Sequence, residues 1–303
     1  MLVNLNFVQQ NGWLNIYKEK NYTSTDVIRI LKKKFSISKI GHYGTLDPLA
    51  TGVLPVALGE ATKTIKYITY NEKKYSFIIK WGEETDTCDE EGKVLKKSVN
   101  RPKVEEIEFN IKKYFIGKIF QKPPLYSAVK INGKRAYELA RKQIKFETNF
   151  KEINIYKFKI KKVLDDNNCK FEIYCSPGTY IRSLARDLAH KLGTYGFATD
   201  IVRNKNSFFL SDNAIFINKI LNTKKDNLIK LVLPVDYALK NYTQINVEKK
   251  YSKMIKDGRI INVENLKKVN NTNNLILIKC ENRLVSIANL EKGYIIPRRN
   301  FNN

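Results

Sequence analysis

The sequence is poor in the residues that build metal and redox sites. It contains only two histidines, His42 and His190, and none of its four cysteines forms a Cys-x-x-Cys pair. A structural zinc needs four closely placed nitrogen or sulfur ligands, so we expect no metal site. Unpaired thiols are typical of reducing compartments, which predicts a cytoplasmic protein.

Long hydrophobic runs are also missing. No apolar stretch approaches the roughly 20 residues that a helix needs to cross a bilayer, so we expect no membrane association. Residues 1–7 lack a basic region and a small-residue cleavage site, and we expect no export signal. The 303 residues, of which 43% are hydrophobic, are enough for one large globular domain and a small one.

Acidic residues are scarce relative to basic ones. Fifty-five Lys and Arg stand against 30 Asp and Glu, which gives a net charge of +25. The excess is spread along the chain, as expected for a protein that binds a phosphate-rich partner with salt-sensitive affinity. An AT-rich genome would also enrich lysine. Charge therefore favours a nucleic acid partner but does not choose between RNA and DNA.

Residues 41–63 form a segment that is rich in glycine and proline and has only two acidic residues, Asp47 and Glu60. Its glycines allow positive φ values, and its prolines fix φ at about −65°. The Asp47-Pro48 step favours a turn and an extended conformation of the Asp. Such a segment either presents Asp47 to a ligand or uses Asp47 to cap the turn. The local sequence leaves both interpretations open.

Hydrophobic periodicity predicts an alternation of helices and strands. Helices are expected to begin at Thr23 or Ser24 and to cover 102–113 and 180–192, and strands are expected at 12–18, 74–81, 153–163 and 170–175. The acidic stretch 83–92 is predicted to be a solvated loop. After a linker near 235–245, short strands separated by Asn and Gly turns predict a β-barrel of about sixty residues.

Residues 121–145 form a strongly basic segment. They carry seven Lys and Arg against a single acid, Glu138, with Tyr126 and Tyr137 between the charges. Basic and aromatic side chains are combined in this way on surfaces that bind a nucleic acid backbone and stack on its bases. A merely solvated basic face is equally compatible with the pattern.

Several motifs together resemble the TruB family of bacterial tRNA pseudouridine-55 synthases. They are the segments 41–52 (GHYGTLDPLATG), 59–63 (GEATK), 74–75 (KY), 85–87 (TDT), 123–130 (PPLYSAVK) and 178–182 (GTYIR). Their order and spacing agree with the family from about residue 12 to residue 205. The resemblance therefore covers roughly two-thirds of the chain.

The resemblance implies an α+β fold. We expect a mixed, mainly antiparallel central sheet with flanking helices, followed by a small PUA-like β-barrel. The catalytic domain is expected over residues 1–238, including a basic RNA-gripping insertion near 121–150. The RNA-binding C-terminal domain is expected over residues 239–303, where the similarity to the family is loose.

The resemblance also implies an isomerase that converts uridine to pseudouridine at position 55, in the T-loop of tRNA, without a cofactor or metal. We expect a monomer whose partner is the T-stem-loop of tRNA. Guide-dependent pseudouridine synthases of archaea and eukaryotes are similar, but residues 132–141 resemble the stand-alone bacterial type. The alternative is a non-catalytic RNA chaperone that refolds tRNA on the same basic surface, and a chaperone has no need of Asp47.

By the same resemblance, Asp47 is the catalytic carboxylate. Arg182 pairs with Asp47 and keeps it ionised. Tyr75 stacks on the flipped uracil, and Tyr180 lies beside the ring, where it accepts or relays the C5 proton. Apart from the resemblance, both tyrosines would be interpreted as core rings.

Four further residues match positions where the family contacts RNA. His42 enters the base stack that the flipped nucleotide leaves. Lys63 and Lys130 contact phosphate or shape the pocket. Ile201 lies against the base, where the family usually has Leu.

The sequence departs from the family pattern at two places. Glu19 and Asn21 replace the usual Pro and Gly of a turn that supports the active site. The segment 201–204 has a single arginine, Arg203, where a Leu-Arg-Arg pattern is common. We therefore expect a weakened turn and one phosphate or structural contact fewer.

Overall fold

The computed structural model describes residues 11–262 and 274–302. The prediction about residues 1–7 lies outside the described residues. Within the described ranges, no helix is both long and apolar enough to span a membrane.

Most of the chain surrounds one large sheet. The strands before residue 240 are, in chain order, β1 (Gly12–Lys18), β2 (Ile40–His42), β3 (Thr51–Leu58), β4 (Lys73–Trp81), β5 (Glu83–Thr85), β6 (Val94–Lys97), β7 (Gly117–Gln121), β8 (Lys130–Ile131), β9 (Lys134–Arg135), β10 (Lys151–Asp165), β11 (Asn168–Cys175), β12 (Gly196–Asn206), β13 (Phe209–Leu210) and β14 (Ile215–Phe216). Ten of them form one sheet in the order β14-β1-β3-β12-β4-β11-β10-β7, with β2 beside β3 and β13 beside β12.

The pairing of this sheet is mixed. Strand β1 is parallel to β14, and β3 is parallel to β12. The other pairs of the sheet are antiparallel. The prediction of a mixed, mainly antiparallel central sheet is therefore confirmed.

Helices cover the sheet. They are α1 (Ser24–Phe35), α2 (Val104–Tyr114), α3 (Ala136–Arg141), α4 (Ile181–Lys191), α5 (Ile217–Asn222), α6 (Lys225–Leu228) and α7 (Lys249–Lys256). Helix α1 begins as predicted, because the Thr23 hydroxyl accepts from the Asp26 N–H while the Asp26 carboxylate accepts from the Thr23 N–H. The buried sides of α1, α2 and α4 share one apolar cluster with alternate residues of β1, β3, β4 and β11.

The prediction of a solvated loop over residues 83–92 is wrong. Its first residues form β5, which pairs with β6. Thr85, Cys88 and Asp89 are buried, and the Thr85 hydroxyl donates to the Asp89 carbonyl oxygen at 2.7 Å. The acidic composition predicts solvent exposure, but the carboxylate of Asp89 is turned inward, toward the buried guanidinium of Arg182.

A second, smaller sheet follows residue 240. Its strands are β15 (Thr243–Asn246), β16 (Ile261–Asn262), β17 (Leu275–Cys280), β18 (Arg283–Glu291) and β19 (Tyr294–Asn300). They pair in the order β15-β17-β18-β19-β16, and Ile255 of α7 packs into their apolar cluster. The predicted α+β fold with a separate C-terminal β unit is therefore confirmed.

The segment predicted as a linker near 235–245 is packed. Val235, Leu239 and Tyr242 belong to an apolar cluster that also contains Trp13 of β1 and Leu277 of β17. Residues of both sheets therefore contribute to one core at this place. A domain boundary between residues 238 and 239 stays a prediction.

Candidate active site

Asp47 lies in the loop between β2 and β3, directly above a buried arginine. Its Oδ2 accepts a hydrogen bond of 2.8 Å from Nε of Arg182, at the start of α4. The Asp47 side chain is 42% exposed, whereas that of Arg182 is 6% exposed. The Asp47 carboxylate is therefore open to solvent, whereas the guanidinium that it contacts is almost completely buried. The predicted pairing of the two residues is present.

Arg182 makes three further contacts that fix its guanidinium. Nη1 donates to the carbonyl oxygen of Thr87 and Nη2 to that of Tyr126, both at 3.0 Å. Nη1 also lies 3.3 Å from Oδ2 of Asp89. Burial alone would lower the pKa of Arg182, but the charges of Asp47 and Asp89 outweigh it and raise that pKa. The guanidinium is therefore a permanent cation with a fixed orientation.

Asp89 is a site residue that the sequence interpretation missed. Burial raises the pKa of its carboxyl group, and the hydrogen bond from Thr87 and the charge of Arg182 oppose that shift. The signal that could have identified it is its position two residues after the TDT motif at 85–87. The TDT motif contributes to the family resemblance, but the acidic composition of residues 83–92 predicts solvent exposure for Asp89.

Arg203 holds the loop that carries Asp47. Its side chain is fully buried, and its three nitrogens donate to carbonyl oxygens of Val53 (2.7 Å), Thr45 (3.2 Å) and Gly44 (2.8 Å). These bonds tie β12 to both sides of the Asp47 turn. The single arginine of the segment 201–204 therefore has a structural role in the folded chain.

The turn that departs from the family pattern keeps its support of the site. Asn21 adopts a left-handed φ of 71°, which Asn tolerates better than most residues other than glycine. Its N–H donates to the Pro48 carbonyl oxygen at 3.0 Å. Lys18 Nζ donates to the same oxygen at 3.0 Å and to that of Tyr22 at 2.7 Å, and burial lowers the pKa of Lys18 to about 8. Asn21 therefore replaces the usual glycine without loss of the turn.

Two tyrosines lie within electrostatic reach of Asp47. Tyr75 on β4 is buried, and its hydroxyl interacts with the Arg203 guanidinium. Tyr180 is half-buried directly before α4. Burial raises the pKa of both hydroxyls, and the charge of Asp47 raises it further. The two rings therefore lie close enough to Asp47 to respond to its charge.

Gln121 places Tyr180, and sequence interpretation had no signal for it. The Tyr180 N–H donates to Oε1 of Gln121 at 2.8 Å, and Nε2 of Gln121 donates back to the Tyr180 carbonyl oxygen at 3.0 Å. Gln121 is buried. The last residue of β7 thus fixes the backbone from which the Tyr180 ring extends.

A narrow cleft opens beside the carboxylate. Asp47, Leu49, Asp89, Arg182 and Ile201 are among its lining residues. Ile201 therefore shares the cleft with Asp47, and its contact with a base stays a prediction. A planar ring that enters from the exposed side of Asp47 would meet a carboxylate, a guanidinium and apolar side chains. These are groups that can attack or deprotonate a ring substrate while holding it.

His42 ends β2, near the loop that carries Asp47. Its ring is half-buried, and burial, with the nearby Arg203 charge, lowers its pKa. Within the described part of the chain its Nδ1 has no hydrogen-bond partner. The ring is therefore neutral at physiological pH, as suits a group that stacks among bases.

Lys63 and Lys130 occupy different environments. Lys130 is exposed at the start of β8. Lys63 is 15% exposed and donates to Glu60 at 2.6 Å and to the carbonyl oxygen of Asn300 at 3.4 Å. It therefore joins the segment after β3 to the last strand. Contact of either lysine with RNA stays a prediction.

The basic insertion presents its charges to solvent. It contains the hairpin β8–β9 and helix α3, and Arg141 lies 5.7 Å from the ring centroid of Tyr137. Six exposed basic side chains are found there with no carboxylate paired to them in the described ranges: Lys130, Lys134, Arg135, Arg141, Lys142 and Lys145. These cations are available to an external polyanion.

Comparisons with known proteins identify the family of the chain. Residues 32–181 match the family model described as TruB family pseudouridylate synthase (N terminal domain). The tRNA pseudouridine synthase B of Clostridium tetani is 39% identical over 282 residues, which cover 93% of this chain and 96% of the relative. The protein of the same name from Caulobacter sp. is 36% identical over 298 residues, which cover 96% of both chains.

The fold is also found in a solved structure of an H/ACA ribonucleoprotein bound to a substrate RNA containing 2′-deoxyuridine. The TM-score is 0.72 at 20% identity, over 97% of this chain and 86% of the other. That likeness concerns the fold alone. The bacterial relatives match over nearly their whole length, and with them the chain belongs to the TruB family of pseudouridylate synthases.

Proposed function

We propose that the protein isomerises uridine to pseudouridine at position 55, in the T-loop of tRNA, with Asp47 as the catalytic carboxylate. The observation that carries the proposal is the exposed Asp47 carboxylate held on the buried Arg182 guanidinium. A protein that only binds RNA gains nothing from an acid placed in this way, because the acid repels phosphate. The names of the relatives supply the substrate class.

The reaction is an internal transfer of one bond. The C1′–N1 bond of uridine breaks, the uracil rotates, a C1′–C5 bond forms, and C5 loses a proton while N1 gains one. Asp47 acts on the sugar or the ring, and the hydrogen bond from Arg182 holds its carboxylate in a fixed orientation. Tyr75 supports the free uracil from one side, and Tyr180 takes or relays the C5 proton. Since atoms and electrons balance, the step needs no oxidant or reductant.

The uridine must leave its stack to reach Asp47, at a cost of a few kcal/mol. His42, at the edge of the site, fills the vacated place in the loop, and Ile201 packs on the base. The cations of residues 121–150, Lys130 among them, hold the backbone of the T-stem-loop, and Lys63 belongs to the same RNA-facing set. Binding should therefore weaken steeply with salt.

The proposal also covers the oligomeric state of the protein and its location in the cell. The protein works as a cytoplasmic monomer on tRNA, without metal or cofactor, with a catalytic domain over 1–238 and an RNA-binding domain over 239–303. The unpaired cysteines and the transfer chemistry support these parts of the proposal. Light scattering of the protein with and without a T-arm RNA tests the monomer, and a dimer would contradict it.

Release of tritium from C5-labelled uridine in a T-loop transcript tests the function. We expect wild-type protein to release the label and Asp47→Asn to bind the transcript without release. Asp166→Asn, in the exposed turn between β10 and β11, is the control and should release label at the wild-type rate. Wild-type protein that binds and releases nothing would leave the chaperone alternative.

A further inference from the structure

Lys73 is a buried lysine close to the proposed site. It is the first residue of β4 and lies two residues before Tyr75, so both side chains lie on the same face of the sheet. It pairs across the sheet with Cys175 of β11 and Asn206 of β12. Its side chain is only 9% exposed. The position is therefore the end of the sheet from which the Tyr180 segment departs.

Among the described residues, the ammonium group of Lys73 has no counter-ion: no carboxylate and no side-chain hydrogen bond contributes to its environment. The charged and titratable groups around it are Arg203, Lys151 and Cys175. Burial lowers its pKa to about 7, and the cations Arg203 and Lys151 contribute to the shift while Cys175 opposes it.

Lys18 shows how hydrogen bonds stabilise a buried lysine that has a structural role. It is fully buried, and its Nζ donates to three carbonyl oxygens. Lys73 makes no such bonds within the described ranges, and a poorly solvated cation without a partner costs folding free energy. A residue that destabilises the fold in this way is expected to have a functional use.

The Lys73 ammonium lies against the backbone of the catalytic loop. A Cβ on Gly44 would come within 3.1 Å of Lys73 Nζ, so the missing side chain of Gly44 leaves the space that the ammonium occupies. The neighbouring residue Thr45 is exposed. An anion that approaches the loop from solvent beside Thr45 would therefore reach Lys73.

The other donors at this place are already used. Arg203 donates to Gly44 and Thr45, and the Asn206 side chain donates to the Tyr43 carbonyl oxygen at 2.8 Å. Lys73 brings N–H groups that no side chain of the described ranges uses, and the charge of Arg203 adds positive potential beside it. The site is built for a single acceptor group that carries negative charge.

We propose that Lys73 binds a phosphodiester group of the RNA, seated over Gly44, when a nucleotide is turned toward Asp47. The inference rests on the proposed function and assigns a contact that it did not include. Gly44 lies three residues before Asp47 in the same loop. A nucleotide with its base at Asp47 brings its own backbone to this edge, and glycine lets that backbone approach closely.

Binding of a T-arm RNA to full-length Lys73→Met in an Asp47→Asn background tests the proposal. We expect the affinity to fall about tenfold or more, as for loss of one charge-assisted contact. The slope of log K against log salt should become shallower by about 0.7 to 0.9, which corresponds to one phosphate contact. The control is Lys74→Met in the same background, because Lys74 pairs with Glu172 on the opposite face at 2.9 Å.

Two results would overturn the proposal. An affinity loss with an unchanged salt slope would assign Lys73 to the base rather than to phosphate. A lower midpoint of thermal unfolding for Lys73→Met would assign it a structural role, whereas we expect the midpoint to be kept or raised. Tritium release by the wild-type protein is measured separately, so failure of the proposed activity is distinguishable from failure of the phosphate contact.

Discussion

Arg182 supports Asp47 through a single Nε–H hydrogen bond of 2.8 Å, and its other nitrogens are engaged elsewhere. The Oδ1 oxygen of Asp47 accepts no hydrogen bond from the described residues and stays open to solvent. One oxygen is thus fixed by a buried cation while the other is free for substrate. Five expected outcomes follow from this arrangement and its surroundings.

Replacement of Arg182 should remove activity even when its charge is kept. Arg182→Lys cannot contact Asp47, Thr87 and Tyr126 together, because an ammonium lacks the planar fork of a guanidinium. We expect single-turnover tritium release to fall at least a hundredfold. Arg182→Met, which leaves Asp89 buried without a cation, should lose about 3–5 kcal/mol of unfolding free energy. Wild-type rates in Arg182→Lys would contradict the positioning role.

Asp89→Asn tests the second carboxylate. Loss of its charge leaves Arg182 with Asp47 as its only anion among the described residues, so the guanidinium can shift toward Asp47. We expect isomerisation to slow about tenfold to a hundredfold, with RNA affinity kept. Glu90→Gln is the control, since Glu90 is paired with Lys20 near the surface. Equal rates for the two variants would remove Asp89 from the site.

The ring of Tyr75, rather than its hydroxyl, is expected to matter for holding uracil. Tyr75→Phe keeps the stacking face and loses the interaction with Arg203, so the rate should fall less than tenfold. Tyr75→Leu removes the face and should lower the rate by orders of magnitude at unchanged fold. The measurement is tritium release at saturating RNA, with circular dichroism to confirm folding. A more severe loss in the Phe variant would assign the role to the hydroxyl.

Stability should depend on pH through Lys73. Its pKa is about 7 in the folded protein and 10.5 in its ordinary state, so between these values the unfolded chain binds more protons. Unfolding free energy attributable to Lys73 therefore rises with pH across that window, by up to about 1.4 kcal/mol per pH unit. Urea unfolding of wild type and Lys73→Met from pH 7 to pH 10 isolates this contribution. Parallel curves would show that the folded-state pKa is not lowered.

Replacement of Lys63 and replacement of Lys130 should have different effects on stability, and both should change the salt dependence of RNA binding. Lys63 lies in a buried pair with Glu60, so Lys63→Met should cost about 1–3 kcal/mol of unfolding free energy. Lys130 is exposed, and Lys130→Ala should make the salt dependence of RNA binding shallower without affecting stability. Salt titrations and urea unfolding of both variants give the comparison. Because Lys63 also belongs to the proposed RNA-facing set, its replacement should make the salt slope shallower as well, and an unchanged slope would remove Lys63 from that set.

Much of the fold could be predicted because its signals are local. The capping box at Thr23 and the alternation of Tyr75, Phe77, Ile79 and Trp81 lie within a few residues of the elements they define. The prediction for the acidic stretch at 83–92 was wrong because the environment of these residues depends on a distant part of the chain. Composition indicates solvent only when no distant cation is present, and Arg182 is such a cation.

The amino-acid sequence alone was enough to predict the family, the sheet with its helices, and Asp47 as the candidate acid. Tertiary structure decided which groups surround that acid, because Asp47 and Arg182 are 135 residues apart and meet only when α4 docks on the sheet. It also decided that Arg203 holds the loop, that Gln121 places Tyr180, and that Lys73 has no counter-ion. Burial and pairing depend on distant neighbours, and these fix the state of each charge.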